Sequence, residues 1–202
     1  MVFVVDDEQV VRDSLRWLLE SVGLPVRAYP TAADFLRDYD TTQPGCLVLD
    51  VRMPGMSGLD LQEELARRGA ELPTIVITAH AEVPMAVRAV KAGALDFIQK
   101  PFSDQLLLDR VRQALEIDRQ DREARQRRED ARRRLATLTT RERDVLERIV
   151  AGRSNKEAAA ALGLSIKTIE VHRAHVMQKM EVDSVAELVL ACILAGAIRE
   201  NP

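Results

Sequence analysis

The chain has 202 residues, 47% apolar and 30% charged, which excludes a disordered or fibrous polypeptide and gives room for two ordinary domains but not three. Its longest nearly unbroken apolar stretch, Leu188–Ile198, is far shorter than the roughly 20 residues a membrane span needs, and MVFVVDDE lacks the basic segment that opens a secretory signal. The net charge of −3 is uneven: −7 through Asp118, +4 over residues 119–137, and zero from Leu138 on, as expected of an acidic module, a basic connector and a neutral module.

In chain order, Val2–Val5, Val26–Tyr29, Cys46–Leu49, Thr74–Thr78 and Phe97–Ile98 read as strands, because short continuous apolar runs are what strands covered on both faces show. Amphipathic segments at Val10–Val22, Ala32–Tyr39, Leu59–Arg68, Pro84–Ala92 and Leu106–Ile117 alternate with them; in the first, Val11, Leu15, Leu18, Leu19 and Val22 share one face. Five such alternations predict an α/β doubly wound, five-stranded parallel sheet over residues 1–116, with its ligand site at the carboxyl ends of the strands. No proline or glycine falls between Pro101 and Gly152, which leaves the last receiver helix free to run on into the connector, and residues 119–134 are almost wholly charged. Ile117, Ala124, Ala131 and Leu138 recur every seven residues, but the second core position of a heptad is unfilled, so residues 117–133 read as a solvated, partly helical connector rather than a coiled coil.

Residues 134–199 read as all helical. Thr139 or Thr140 caps a helix near Arg141, and Gly152 ends it. A short Asn155–Leu162 helix stops at Gly163, Ser165 caps Ile166–Met180, and Ser184 caps Val185–Ala197. Four helices with a tight glycine break between the second and third make a helix-turn-helix arrangement. Cys46 and Cys192 form no metal-binding pattern and read as buried thiols of a reduced, cytoplasmic chain.

The chemistry concentrates at strand ends. Asp6 and Asp7 follow the first strand and Asp50 ends the third; if these strands are neighbours, the three acids converge, and such a cluster of hard oxygens suits Mg²⁺. Thr78 adds a hydroxyl, and Lys100 adds a cation just before Pro101, where a cis bond would aim it inward. Any one of these is an ordinary loop residue, but all five together, each at a strand's carboxyl end, are the equipment for phosphoryl transfer to a carboxylate.

FVVDDE, LVLDVRMPGMSG, VITAH and FIQKPF resemble the receiver domain of two-component response regulators. That resemblance implies Asp50 as phosphoacceptor, Asp6, Asp7, Asp50 and the Met53 backbone carbonyl around Mg²⁺, Thr78 and Lys100 as the switch hydroxyl and the phosphoryl-binding lysine, and Phe97 as the aromatic that turns inward on activation. Arg52 and His80 occupy positions where the family modulates phosphoryl lifetime. The stretch LTTRERDVLERIVAGRSNKEAAAALGLSIKTIEVHRAHVMQKMEVDS resembles the LuxR-type helix-turn-helix, and together with VPMAVRAVKAGALDFIQKPF it is most similar to the FixJ branch.

Leu138, Val145, Leu146, Ile149, Leu162, Ile169 and Val176 are the expected core of the second module. Lys167, Thr168, Glu170, Val171 and Arg173 near the start of the third helix are candidates to face base edges, with Arg153, Asn155 and Lys156 beside the turn for phosphates. His172 and His175, three apart, lack a third ligand and read as packing or phosphate contacts. Because the module carries no net charge, non-specific attraction to DNA is expected to be weak, and pairing two copies matters more. Val185, Leu188, Val189, Cys192 and Ile193 give the last helix an apolar stripe for core, dimer contact or both.

The combined expectation is a transcriptional regulator: phosphorylation of Asp50 by a sensor histidine kinase promotes homodimerisation and promoter binding, with RNA polymerase as a further partner. Val87 and Lys91 are the candidate dimer residues on the fourth helix. An Asp-nucleophile phosphohydrolase is disfavoured, since Asp50-Val51-Arg52 lacks the second acid such enzymes use. A ligand-sensing LuxR-type regulator would carry a pocketed sensor in place of the receiver.

Overall fold

Alternate residues of five parallel strands build two separate apolar layers in the N-terminal half. The computed structural model describes residues 1–198, so residue 199, the last of the expected helical module, lies outside the described residues. The chain divides into two units between Asp121 and Arg122. Strands β1 (Val2–Val5), β2 (Val26–Tyr29), β3 (Cys46–Asp50), β4 (Thr74–Thr78) and β5 (Ala94–Gln99) pair in the order β2-β1-β3-β4-β5. Helices α1 (Gln9–Ser21), α2 (Ala32–Asp38), α3 (Gly58–Arg67), α4 (Val83–Lys91) and α5 (Asp104–Ala136) intervene or follow. The central strands VFVV, CLVLD and TIVIT are buried at every residue, as a sheet covered on both faces requires.

Because successive side chains of a strand point to opposite faces, Val2, Val4, Cys46, Val48, Ile75 and Ile77 pack with Leu15 and Leu19 of α1 and Leu107 and Val111 of α5. Phe3, Val5, Leu47 and Leu49 pack the other way, on Phe35 of α2 and Leu61 and Leu65 of α3. Each fully buried leucine or phenylalanine contributes about 1.5–3 kcal/mol. Phe3, Phe35 and Tyr39 form edge and stacked ring pairs at 4.9–5.7 Å. On α1, Val10 and Trp17, the only tryptophan, stand 81% and 75% exposed.

One strand of the sheet is longer than expected. The fifth strand runs Ala94–Gln99 rather than Phe97–Ile98; Asp96, paired with Arg110 at 2.7 Å, interrupts its apolar pattern without interrupting the strand. As the absence of proline and glycine allows, the last helix of the receiver half and the whole connector 117–133 are one helix, α5, of 33 residues. Its charged stretch consists of good helix formers with no breaker, laced by pairs such as Arg119–Glu116 at 2.6 Å.

The second unit carries α6 (Thr140–Val150), α7 (Asn155–Leu162), α8 (Ile166–Met180) and α9 (Val185–Leu194), capped by Thr139, Ser154, Ser165 and Ser184. The last helix ends at Leu194, short of the expected Ala197, because Gly196 takes a left-handed conformation. Gly163 ends α7 at φ 67°, a conformation that favours glycine and turns the chain sharply into α8. Leu138, Val145, Leu146, Ile149, Ile169, Val176, Met180, Leu188 and Cys192 form the core, with Leu162 half-buried against it. No helix among the described residues is long and apolar enough to cross a membrane.

Candidate phosphoryl site and nucleic-acid interface

Strand order reverses beside β1, so β1 and β3 open a crevice at their carboxyl ends, where open α/β sheets bind ligands. Asp6 leaves β1 there and Asp50 closes β3; both are buried, at 0% and 7% exposure. Lys100, at the end of β5, donates from Nζ to Asp6 Oδ2 and to Asp50 Oδ1, each at 2.8 Å. Its backbone N–H donates to the Thr78 carbonyl at 2.7 Å, and the Lys100–Pro101 bond is cis. Asp50 Oδ2 accepts from the Arg52 backbone N–H at 2.7 Å, and Asp6 Oδ1 from that of Glu8 at 2.9 Å. Gly58, at the start of α3, fits under Asp50 only because it has no side chain: a Cβ there would lie 2.1 Å from the Asp50 carbonyl oxygen.

Burial pushes the Asp50 carboxyl above its ordinary range, and the Lys100 hydrogen bond offsets only part of this. Burial on its own would lower the Lys100 ammonium, but its bonds to Asp50 and Asp6 outweigh it and hold the cation firmly charged. Two carboxylates against one ammonium leave a net negative charge in a desolvated crevice, an arrangement that fits a hard divalent cation.

Of the three acids expected to converge, Asp6 and Asp50 share the Lys100 ammonium. Among the described residues no three carboxylate, histidine or cysteine side chains form a metal-binding group. The Lys100 ammonium lies between Asp6 and Asp50, whereas Asp7 is exposed and lines the adjacent cleft with Val51, Arg52 and Met53.

Thr78 is buried, and its Oγ1 accepts from the His80 N–H at 3.2 Å; His80 itself is exposed. Phe97 is half-buried against Val51, Leu59, Val76 and Ala89. Val87 and Lys91 are exposed on α4, and so are Val83 and Val90, which sequence reasoning passed over. It also missed the ties around α4. Arg52 Nη2 reaches Glu82 Oε1 at 3.1 Å across the mouth of the site, and Arg88 pairs with Asp60 and Glu63 of α3 at 2.7 and 2.8 Å. Such contacts between separated residues leave no local signal in a sequence.

In the second unit α8 presents Ile166, Lys167, Glu170 and Val171 to solvent, with Thr168 and Arg173 half-buried. The Ser165 side chain accepts from the Thr168 N–H at 3.1 Å and starts this helix. Arg173 Nη1 donates to Asn155 Oδ1 at 3.4 Å, tying α8 to the first turn of α7. Arg153 pairs with Glu157 at 3.7 Å, and Lys156 is exposed.

Glu142 is the unanticipated centre of this unit. Only 4% exposed, it closes a capping box with Thr139 and accepts from Lys179 Nζ of α8 at 2.7 Å. These bonds, Lys179 first, hold its carboxyl down to about 2. His175 Nδ1 approaches the same carboxylate at 3.9 Å, while His172 Nδ1 is buried without a hydrogen-bond partner among the described residues.

A carboxylate held by a lysine at the switch point of a parallel sheet, followed by a capped helix-turn-helix, defines a signal-receiving module joined to a DNA-binding one. The response regulator receiver domain family matches residues 2–112, and the family of bacterial regulatory proteins described as luxR matches residues 136–192. The chain belongs to the LuxR-type response regulators, transcriptional regulators of two-component systems. It is 50% identical to the transcriptional regulatory protein FixJ of Azorhizobium caulinodans over 200 residues, covering 96% of this chain and 92% of the relative. Against the transcriptional regulatory protein TdiR of Thauera aromatica it is 46% identical over 187 residues, 93% of this chain and 82% of the relative. The solved structure of the response regulator StyR superimposes with a TM-score of 0.88 at 46% identity, covering 94% of this chain and 96% of that one.

Proposed function

We propose that residues 1–116 receive a phosphoryl group on Asp50 from a sensor histidine kinase, and that residues 134–199, reached through the charged connector 117–133, then bind promoter DNA as a homodimer. The observation that carries this reading is the Asp50 carboxylate, fixed by Lys100 on one oxygen and by the Arg52 N–H on the other at the mouth of the crevice. An Asp50 oxygen attacks the phosphorus of a phosphohistidine, the N–P bond breaks, and the imidazole leaves as an acyl phosphate forms. Lys100 steadies charge on the transferred group. Asp6, Asp7, Asp50 and the Met53 carbonyl would hold Mg²⁺, which supplies charge neutralisation at the phosphoryl oxygens.

With the phosphoryl group in place, Thr78 leaves the His80 N–H to bond it, Phe97 moves into the space released, and α4 shifts. Val83, Val87, Val90 and Lys91 then meet their counterparts in a second chain. Pairing raises the effective concentration of the two DNA-binding modules. On DNA, Lys167, Thr168, Glu170, Val171 and Arg173 face base edges while Arg153, Asn155 and Lys156 meet phosphates, and RNA polymerase is the next partner.

The test is labelling with acetyl phosphate followed by sedimentation. The native chain labels only with Mg²⁺ and dimerises with beryllofluoride, whereas Asp50→Asn does neither. Full labelling of Asp50→Asn would show another acceptor.

A further inference from the structure

Asp6 is tied at every polar group it has. Its N–H donates to the Tyr29 carbonyl of β2 at 3.3 Å, its Oδ1 accepts from the Glu8 N–H and its Oδ2 from Lys100, and its backbone carbonyl accepts from Arg12 Nη1 at 2.7 Å. Asp7, the next residue, is exposed, and its side chain makes no hydrogen bond or ion pair among the described residues. We infer that Arg12 is a positioning residue for Mg²⁺: it sets where Asp7 stands by holding the peptide that joins Asp6 to Asp7.

Arg12 is the fourth residue of α1, and long side chains on a helix lean toward its N-terminus, so the guanidinium reaches back over the first turn to a carbonyl six residues earlier. A peptide is planar, so the Asp6 carbonyl, the Asp7 N–H and the Asp7 Cα turn as one unit. Pinning the oxygen therefore fixes the point from which the Asp7 side chain departs. The Glu8 bond to Asp6 Oδ1 closes the far side of Asp7, and Arg12 closes the near side.

Although Asp6, Asp7, Glu8 and Asp13 are near neighbours in the chain, Arg12 makes no ion pair with any of them. A cation spent on a neutral carbonyl shapes the loop and leaves its carboxylates to the metal. Mg²⁺ demands near-ideal octahedral geometry, so a misplaced carboxylate loses affinity. Charge and position then predict opposite signs. As a nearby charge alone Arg12 repels Mg²⁺, and its removal would tighten binding; as the holder of Asp7, its removal weakens binding.

This role for Arg12 rests on the Mg²⁺ site proposed above, which the native chain tests first. The full chain, without a phosphodonor, is titrated with MgCl₂ and followed by the amide signals of Asp7, Glu8 and Asp50. Native binding is expected, weakened about tenfold or more in Arg12→Met and largely recovered in Arg12→Lys, which keeps a donor. In an Asp7→Asn background the same Arg12→Met change should cost less than about threefold, because the residue it positions no longer carries the charge. Labelling by acetyl phosphate should need about tenfold more Mg²⁺ in Arg12→Met yet reach a similar maximal rate. Failure of the native chain to bind Mg²⁺ would overturn the site and the role of Arg12 together. If the native chain binds, three results each overturn the role of Arg12 alone: equal or tighter binding by Arg12→Met, no recovery by Arg12→Lys, or an undiminished loss in the Asp7→Asn background.

Discussion

Lys100→Met removes an ammonium while keeping most of the side chain's length, and its cost follows from what remains. Asp6 and Asp50, with side chains 0% and 9% exposed, both lean on Lys100 Nζ at 2.8 Å, and the variant leaves them facing each other with no cation. Breaking a buried pair by deleting one partner costs about 3–5 kcal/mol. Lys100 is itself 17% exposed and the crevice has a mouth, so the low end, about 3 kcal/mol, is expected. With a urea slope of about 1.5 kcal/mol per molar, the receiver midpoint falls by roughly 2 M. The pH dependence has a definite sign. Asp50 already has a raised pKa in the fold, and the variant raises it further, so the folded state binds protons that the unfolded chain has released. Stability is therefore lost as pH rises from the ordinary aspartate value of 3.8 through the folded pKa, and the gap from the native chain is largest above the folded pKa and smallest below 3.8. A divalent cation replaces the missing charge: Mg²⁺ at about 100 times its dissociation constant restores about 2.7 kcal/mol. The assay is urea unfolding followed by receiver amide signals at several pH values, with and without Mg²⁺. A loss below about 1 kcal/mol at neutral pH, or one that is the same at every pH, would refute the charge argument.

Glu142→Gln should destabilise the second unit by about 2 kcal/mol and weaken DNA binding, since it loosens α6 from α8. The native carboxyl sits near 2 against an ordinary 4.5, so its contribution is present above 4.5 and fades as pH falls toward 2; hydrogen exchange on α6 and α8 should show the two proteins converging over that window. Glu170→Ala should leave or raise non-specific affinity and relax preference at one base pair per half-site by about 1–3 kcal/mol, whereas Lys156→Ala should weaken all sequences alike and reduce the salt slope by about one unit. Titration against a single-substitution operator library at two salt concentrations separates them, and a uniform loss for Glu170→Ala would make it structural. Val87→Glu, on the exposed face of α4, should block beryllofluoride-induced dimers in sedimentation while leaving acetyl phosphate labelling intact.

The sheet was legible because its central strands are unbroken apolar runs, and Asp6, Asp50, Thr78 and Lys100 because each ends such a run. Chain position alone carried that information. The joint role of Lys100 with Asp6 was not legible, since 94 residues separate them and only the strand order closes the gap. The run of α5 into the connector was legible only from the lack of a breaker, because its solvated arginines and glutamates show no apolar face and continue the helix through local pairs. Glu142 lies in the first turn of α6, where an acid is ordinary and nothing local marks it as buried; its partner Lys179 is 37 residues on. Gln62 lies within the amphipathic segment Leu59–Arg68, where nothing local marks it as buried against α4.

Trp17 has a practical consequence for optical work. A single emitter on the outer surface of α1 already sits in bulk water, so its emission changes little when the chain unfolds, and a fluorescence melt will have a small amplitude where circular dichroism records a large one. The same placement makes it a sensitive reporter of coverage. Any macromolecule that lands on α1 moves the indole into a drier setting and shifts its emission to the blue, and no label has to be introduced to see it.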